Sequence, residues 1–385
     1  AHAACPAVGP ATMPAAFVAR GLHWYRSMHR QPAPAEPDAC IGVVANPVSA
    51  RDIRRIVANA GNLQITDRVN IVLRLLQAAR AAGVGRALLM PDRGGIRALL
   101  ERHLRRGDAT LPRIDWLDME PTSTVEDSFA ATRLLQRAGV AAIVVLGGDG
   151  THRAVVRELH AAGSDLPIAG ISTGTNNAFP EMREPTITGL ATGLYAAGRI
   201  AADEALQANK LLEVRVEDLQ GARPARRDVA IVDAVITHDR SVGARALWKT
   251  GSLAAAYLAF CEPEAIGLSS IGALLQPVGR RERGGLAVQI AQHSADALTL
   301  LHAPIAPGMV LPVPVAGWQR MAPDEPLPVQ QAAGTVALDG ERELAFEHGQ
   351  QVHVTLREAA FRTLDVARCM AAAARDGLLR TSPHP

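Results

Sequence analysis

An apolar run that ends in a glycine-rich turn is the feature that most constrains the fold of this chain. Residues 141–146 are all apolar or β-branched, as in a short strand buried on both faces of a parallel sheet. Gly-Gly-Asp-Gly follows at 147–150, and from Thr151 onward the pattern has helical spacing. Glycines let the backbone turn sharply and expose its N–H groups, and a helix N-terminus favours phosphate. The sequence therefore predicts a phosphate-binding turn between a strand and a helix.

Two interpretations of this turn stay open. The glycines open no Gly-x-Gly-x-x-Gly pattern and precede no Gly-Lys-Ser/Thr, so neither common nucleotide fingerprint is present at this turn. One interpretation is a tight turn in which Asp149 caps the helix. The other is a ligand site, because open α/β sheets bind ligands at the carboxyl ends of their strands. In that case Asp149 is the candidate catalytic residue, which holds a cation or accepts the proton of a hydroxyl.

A second polar loop follows the next apolar segment. Leu166–Ile171 has the pattern of a strand, and hydroxyl and amide side chains are concentrated directly after it. An ordinary polar turn closed by Pro180 is one interpretation. Because the first loop ends the preceding strand, we expect the two loops to form opposite sides of one crevice. The candidate nucleotide-binding residues are Gly147, Gly148, Gly150 and Thr151 in the first loop, and Thr173, Gly174, Thr175, Asn176 and Asn177 in the second.

The pair Gly147–Thr151 and Gly174–Asn177 resembles the superfamily of NAD kinases, diacylglycerol kinases and sphingosine kinases. A closer resemblance is to the NAD-kinase-like family of acetoin catabolism, and it covers about residues 40–360. Further segments that carry it are Ile41–Pro47, Ser49–Arg55, Met90–Asp92 and Ile171–Asn177. The resemblance implies an ATP-dependent kinase fold, in which a Rossmann-like α/β domain precedes a β-rich domain and the site lies between them.

The pattern of segments agrees with two domains after an N-terminal tail. Alternating strand-like and helix-like segments predict an α/β nucleotide-binding domain over 40–190 with a parallel sheet. Short strand-like segments punctuated by Gly and Pro predict a β-rich domain over 191–360. Residues 361–380 are predicted as a helix that, by the resemblance, completes the first domain. Residues 1–39 are rich in Ala and Pro, which predicts a flexible tail.

The predicted elements have the following bounds. In the first domain the predicted strands are Ile41–Ala45, Arg86–Met90, Arg113–Leu117, Ala141–Leu146 and Pro167–Ile171, and the predicted helices are Asp67–Ala82, Gly95–Arg105 and Thr124–Ala138. In the second domain the predicted strands are Leu211–Val216, Asp228–Ile236, Leu286–Ile290, Ala297–Leu301, Thr335–Leu338 and Gln351–Leu356.

Five further residues are candidates through the resemblance. Asn46 and Ser49 follow the first predicted strand, where the family has its first nucleotide-contacting loop, although a turn stiffened by Pro is an equal alternative. Asp339 and Glu341 belong to Asp-Gly-Glu in a predicted hairpin turn. Lipid kinases of the superfamily have a similar segment near their catalytic loop. Asp233 is the fifth candidate.

Asp233 bears on the identity of the acceptor. In NAD kinases the comparable strand carries an Asn, followed by a Glu or Asp, that contacts NAD, whereas this chain has Val232 before Asp233. A valine forms no hydrogen bond, so a polar group built to meet that amide would stay unpaired at a cost of about 1–3 kcal/mol. This departure weakens the expectation that NAD is the phosphoryl acceptor.

Composition limits the remaining choices. Lys and Arg total 40 against 38 Asp and Glu, so the charge gives no reason to expect nucleic acid as a partner. No apolar run reaches the length of about 18 residues that spans a membrane. The four cysteines lack metal-ligand spacing, which favours free thiols in the cytoplasm.

The sequence therefore predicts a small-molecule kinase that uses ATP and Mg²⁺, with NAD as one possible acceptor and nucleotide and small molecule as partners. Homo-oligomers are common in the family, so self-association is expected. The alternatives are a non-catalytic nucleotide-binding sensor, which keeps the phosphate loop without the chemistry, and a lipid kinase.

Overall fold

The computed structural model describes residues 39–47, 63–105, 107–173, 177–239, 250–340 and 342–381. Its strands are β1 Cys40–Ala45, β2 Arg86–Leu89, β3 Arg113–Trp116, β4 Ile143–Gly147, β5 Ile168–Ser172, β6 Leu206–Asp218, β7 Arg226–Ala230, β8 Asp233–Thr237, β9 Leu253–Leu258, β10 Gly285–Ile290, β11 Thr299–Ala306, β12 Met309–Met321, β13 Pro326–Pro328, β14 Gly334–Leu338, β15 Arg342–Phe346 and β16 Gln350–Leu364. Its α-helices are α1 Ile65–Ala81, α2 Ile96–Leu104, α3 Val125–Arg137, α4 Asp149–Ala161, α5 Pro185–Ala196, α6 Ala202–Ala205, α7 Ser269–Ala273 and α8 Val366–Arg375.

The first sheet contains the parallel, Rossmann-like part of the fold. Among the described residues its order is β3-β2-β1-β4-β5-β16-β6-β7, and β13 pairs with β16. Strands β1 to β5 pair in parallel, and β6 and β7 are antiparallel additions at the other side. The strand order reverses between β1 and β4, and this is the place where an open α/β sheet forms its ligand crevice. The glycine-rich turn follows β4, which lies at this reversal, and the polar loop follows the neighbouring strand β5.

Helices cover both faces of this sheet. One face packs against α1, α2, α5 and α8 in a single apolar cluster. The other face packs against α3 and α4 and also against the second sheet, so a larger cluster joins both sheets. The second sheet is antiparallel, with the order β11-β12-β10-β9-β8-β14-β15 in the described part of the chain. The structure therefore has an N-terminal α/β domain with a mostly parallel sheet and a C-terminal antiparallel β-rich domain, as the sequence predicted.

The predicted strands and helices of the first half agree with the observed ones within two residues. The predicted division at residue 190 stays a prediction, and the first sheet itself continues across it through β6, β7, β13 and β16. The predicted tail over 1–39 lies outside the described residues except for Ala39. Among the described residues, no helix has the length and apolar character needed to cross a membrane.

The second half of the chain agrees less closely, because the predicted strands Leu211–Val216, Ala297–Leu301 and Gln351–Leu356 are observed over Leu206–Asp218, Thr299–Ala306 and Gln350–Leu364. The single strand expected over 228–236 is divided between β7 in the first sheet and β8 in the second. The strand is interrupted at Ile231 and Val232. Their N–H groups donate to the carboxylate of Asp339, at 2.9 and 2.8 Å, instead of to a neighbouring strand. That carboxylate arrives from the β14–β15 hairpin, which sequence periodicity cannot reveal.

The helix expected over 361–380 begins only at Val366. Phe361 and Leu364 continue β16 and pair with Asn209 and Leu206 of β6. Asp365 then begins α8 by accepting a hydrogen bond from the N–H of Arg368 at 3.0 Å, as a typical N-cap. The completed helix packs against α5 on the first sheet.

Close packing of α1 and α5 depends on glycine. A Cβ added to Gly189 would lie 2.3 Å from the carbonyl oxygen of Leu75, and one added to Gly193 would lie 2.6 Å from the Cβ of Ala82. Both contacts are far shorter than normal packing distances, so these glycines let the two helices approach. Because α1 and α5 lie this close together, they form a continuous helical layer on one face of the parallel sheet.

We therefore expect Gly189→Ala to destabilise the protein by about 1–3 kcal/mol through overpacking. Chemical denaturation monitored by circular dichroism measures this change. Gly317→Ala is the control, because a Cβ at Gly317 meets no atom within 4 Å. Equal stability of the two variants would show that the helices separate without cost.

Candidate active site

The turn between β4 and α4 is the centre of the candidate site. Gly148 is the N-cap of α4, and Asp149 is the first residue of the helix, two positions earlier than the sequence predicted. A Cβ on Gly147 would lie 2.6 Å from the Cβ of Thr151, so glycine is needed for that side chain to fold back over the turn. The hydroxyl of Thr151 accepts a hydrogen bond from the side-chain amide of Asn46 at 3.2 Å. The loops after β1 and β4 are thus joined.

The loop after β5 joins the same site through Asn177. Its Oδ1 lies 2.8 Å from the position of a Cβ on Gly148, so only glycine allows this approach. Its amide Nδ2 donates to the hydroxyl of Ser172 at 2.8 Å. The N–H of Thr173 donates to the carbonyl of Gly147 at 3.3 Å. The two loops therefore pack directly against each other.

The carboxylate of Asp149 binds the second loop. The N–H of Ala178 donates to its Oδ2 and the N–H of Phe179 to its Oδ1, both at 2.9 Å. The N-cap position of α4 belongs to Gly148, so Asp149 is the first helical residue and not the N-cap. The two contacts fix the orientation of the carboxylate at the start of the helix.

Arg280 holds the same two residues from the other side. Its guanidinium donates to the carbonyl oxygen of Phe179 at 2.6 Å and to that of Ala178. Glu262 accepts from its Nε at 3.0 Å and so fixes the planar group. The guanidinium also lies 4.6 Å from the ring centroid of Phe260, within the range of a cation–π contact. The segment that carries Arg280 leads into β10, so the loop after β5 is bound to both lobes.

A buried carboxylate links the second sheet to the same region. Asp339 is 4% exposed and accepts hydrogen bonds from the N–H groups of Ile231, Val232 and Asp233 at 2.9, 2.8 and 3.1 Å. Asp339 itself donates its N–H to the carbonyl of Asp233 at 2.9 Å. Two of the candidate acceptor-site residues, Asp233 and Asp339, are therefore adjacent.

Arg153 of α4 connects this carboxylate to the glycine turn. Its Nε lies 3.8 Å from Oδ2 of Asp339, and its NH1 lies 3.5 Å from Oδ1 of Asp228. Burial raises the pKa of Asp339 to about 7, while Arg153 and the backbone N–H donors oppose that shift and the charge of Asp149 adds to it. The effect of Asp149 on this pKa indicates that the two carboxylates belong to one electrostatic cluster.

The structure brings most of the predicted site residues together. At the carboxyl ends of β1, β4 and β5 lie Asn46, Gly147, Gly148, Asp149, Gly150, Thr151, Thr173 and Asn177. Outside the described residues lie Ser49, Gly174, Thr175, Asn176 and Glu341. Sequence reasoning missed Arg153 and Arg280. The spacing of Arg153, four residues after Asp149 on one helix, was an available signal, whereas nothing local marks Arg280.

In the described part of the chain, no three His, Cys, Asp or Glu side chains are arranged to hold a metal ion. Mg²⁺ is often bound through one or two carboxylates together with the phosphates of its nucleotide. Asp149, at the N-terminus of α4, fits that kind of site.

The fold and the paired loops define a protein of the NAD-kinase-like class. Residues 42–200 match the family model described as ATP-NAD kinase N-terminal domain, and residues 210–359 match the one described as acetoin catabolism protein X C-terminal domain. The chain is 58% identical over 360 residues to acetoin catabolism protein X of Cupriavidus necator, and the match covers 93% of this chain and 98% of that protein. The chain belongs to the acetoin catabolism protein X family.

Solved structures of similar fold include two kinds of kinase. Yeast NADH kinase complexed with NADH is 11% identical with a TM-score of 0.47, and the match covers 90% of this chain and 89% of that one. A putative diacylglycerol kinase from Bacillus anthracis is 14% identical with a TM-score of 0.43, over 85% of this chain and 96% of that one. The predicted likeness to NAD kinases is confirmed by the match of residues 42–200 to the ATP-NAD kinase N-terminal domain.

We expect Arg280→Ala to release the loop after β5. Loss of the guanidinium leaves the carbonyls of Ala178 and Phe179 without this donor, and hydrogen bonds to a charged group contribute about 1.5–3 kcal/mol each. Hydrogen exchange at the N–H groups of Ala178 and Phe179 should become faster. Arg283→Ala is the control, since Arg283 is exposed and its guanidinium forms no ion pair with a described residue. Unchanged exchange in Arg280→Ala would mean that Asp149 alone holds the loop.

His152 lies behind the same turn. It is fully buried, and its Nδ1 donates to the carbonyl oxygen of Gly148 at 2.8 Å, because that oxygen can only accept. Its Nε2 has no hydrogen-bond partner among the described residues and lies 2.7 Å from the position of a Cβ on Gly170. Burial lowers its pKa to about 4, so the neutral ring is the folded form at neutral pH.

This burial predicts a pH dependence of stability. Between the unfolded pKa of about 6.5 and the folded value of about 4, the unfolded chain binds the proton and the folded one does not. Stability is therefore lost as pH falls, by about 3 kcal/mol from pH 7 to pH 4. Urea unfolding across this range should show a shallower dependence in His152→Gln, whereas the exposed His103→Gln should behave as the unmodified protein. If the free energy of unfolding depended on pH equally in all three proteins, burial of neutral His152 would not be the cause.

Proposed function

We propose that this protein is an ATP-dependent phosphotransferase that acts on a hydroxyl group of a small molecule. The observation that carries the proposal is the junction of three strand-end loops at the start of α4. Asn46 bonds Thr151, and Asn177 packs against Gly148. A helix N-terminus with a glycine cap, at the reversal of strand order in a parallel sheet, is a favourable site for the phosphates of a nucleotide.

In this proposal, the first turn of α4 binds the triphosphate through its backbone N–H groups. Asn46, Thr151 and Asn177 orient phosphate or ribose oxygens. Asp149 is the candidate protein ligand of Mg²⁺, which would neutralise charge on the phosphate oxygens, or the candidate proton acceptor. The acceptor hydroxyl oxygen forms a bond to the γ-phosphorus, the bond from that phosphorus to the leaving oxygen of ADP breaks, and the hydroxyl proton passes to Asp149.

The acceptor is the finer part of the proposal. Val232 lies 1% exposed in the core cluster that joins the sheets, so its position offers no polar group to NAD. Asp339 is engaged by three backbone N–H groups and lies 3.8 Å from Arg153, which supports a structural role. Neither observation favours NAD or a lipid as the acceptor. The name of the relative from Cupriavidus necator places that protein in acetoin catabolism, and we extend this connection to the present chain. A cytoplasmic location and self-association stay predictions.

A non-catalytic nucleotide-binding protein is the second candidate. One observation favours it: each oxygen of the Asp149 carboxylate already accepts a backbone N–H at 2.9 Å. In this alternative Asp149 holds the loop after β5 and takes no part in chemistry. The protein would then bind ATP saturably without forming a phosphorylated product.

Product formation by the unmodified protein separates the two candidates, and Asp149→Asn tests the role of Asp149. We expect kcat to fall by about 10²–10⁴-fold, the usual contribution of a positioned acid or base, while ATP affinity changes little. ATP consumption is measured against small polyols, diols, NAD and NADH, and ATP binding by calorimetry. Asp218→Asn is the control, because Asp218 also accepts a backbone N–H, that of Gln220 at 3.0 Å, but lies at the end of β6. Full activity of Asp149→Asn would mean that Asp149 only positions the loop after β5 and takes no part in catalysis.

A further inference from the structure

We propose that the cavity beside Asn177 binds the phosphoryl acceptor and selects uncharged hydroxyl compounds against phosphorylated ones. The proposal rests on the proposed function and adds a substrate class to it. The cavity has a volume of about 770 Å³. One wall is formed by Ser172 and by residues of the segment 177–182, and the other by residues 262–266 and 279–282 of the second lobe.

The position of the cavity connects it to the glycine turn. Ser172 and Asn177 form part of its wall, and the Oδ1 of Asn177 lies 2.8 Å from the position of a Cβ on Gly148. A molecule in the cavity is therefore separated by one side chain from the first turn of α4. An acceptor hydroxyl that leaves the cavity past Asn177 reaches the place proposed for the γ-phosphate.

The cations of the cavity are all engaged by protein groups. Arg280 binds Glu262 at 3.0 Å and donates to the carbonyl of Phe179 at 2.6 Å. Arg281 binds Asp365 at 2.6 Å. A phosphate or carboxylate of a ligand would have to compete with these contacts, because the described residues of the cavity contain no further cation.

Carboxylates outnumber guanidinium groups in the cavity. Against the two arginines, the lining contains Glu181, Glu262, Glu264 and Glu282. Glu181 pairs with Arg183, and Glu282 pairs with Arg320 at 2.8 Å. Glu264 is exposed and forms no ion pair with any described residue. An anionic acceptor therefore meets cations that already have partners and one carboxylate, that of Glu264, that has no counter-charge among the described residues, and this arrangement disfavours a negatively charged ligand.

The test uses pairs of probes that differ only by a phosphate group. Glycerol is compared with glycerol 3-phosphate, and ribose with ribose 5-phosphate, each at saturating Mg-ATP, with NAD as a further anionic probe. Phosphorylated products are quantified by mass spectrometry. We expect kcat/KM for the neutral member to exceed that of the phosphorylated member by about tenfold or more in each pair. Equal or better use of a phosphorylated member, or of NAD, would overturn the proposal.

Binding measurements separate this proposal from the proposed function. If ATP binds but no probe is phosphorylated, the proposed kinase function is wrong. Calorimetry in the presence of a non-hydrolysable ATP analogue then tests whether the cavity prefers neutral ligands. Binding of glycerol or ribose in preference to its phosphate ester would support the cavity as a neutral-ligand site. Absence of binding by both neutral probes, or preference for the esters, would overturn it.

A charge reversal tests the cavity directly. We expect Glu264→Lys to shift the ratio of kcat/KM, or of affinity, by about tenfold toward glycerol 3-phosphate, because it supplies an unpaired cation. Glu325→Lys makes the same change of net charge at an exposed position outside the cavity and should leave the ratio unchanged. An unchanged ratio in Glu264→Lys would show that these charges do not select the ligand.

Discussion

Two consecutive residues, Ala178 and Phe179, are the constraint on which the candidate site depends, through their backbone groups. Their N–H groups bind the carboxylate of Asp149, and their carbonyl oxygens bind the guanidinium of Arg280. Asp149 belongs to the helix that follows β4, whereas Arg280 belongs to the segment that enters the second sheet. One short loop is thus fixed by opposite charges from both lobes, and its neighbour Asn177 is held against the glycine turn.

Helix α4 carries a second bridge on the same face. Arg153 lies one helical turn after Asp149 and contacts the buried carboxylates of Asp228 and Asp339. Side chains four residues apart lie on one side of a helix, so Asp149 and Arg153 leave α4 on the same side. Asp228 lies on β7 of the first sheet and Asp339 follows β14 of the second, so Arg153 contacts a carboxylate of each sheet. Removal of one partner from such buried pairs leaves an uncompensated charge, which is strongly destabilising.

The sequence predicted the parallel sheet and the meeting of the two loops because both follow from local patterns. Strand periodicity, glycine content and the rule for strand ends are sufficient for that. It did not predict Arg280, which is 101 residues from Phe179 in sequence. It also joined β7 to β8, because only the distant Asp339 shows that Ile231 and Val232 leave the sheet. Phe361 was assigned to a helix because the apolar spacing around it is compatible with a helix and with a strand. Its pairing with Asn209 of β6 makes it part of a strand.

The double fixation of the loop bears on the proposed chemistry. A carboxylate that receives a proton changes one acceptor position into a donor, so proton transfer to Asp149 weakens one of its bonds to Ala178 or Phe179. A loop held only by Asp149 would loosen at the moment of reaction. Arg280 stays charged, and it binds the carbonyl oxygens of the same two residues. In the proposed mechanism, Arg280 therefore continues to hold the loop while Asp149 carries the proton, and one carboxylate can both position the loop and take part in the chemistry.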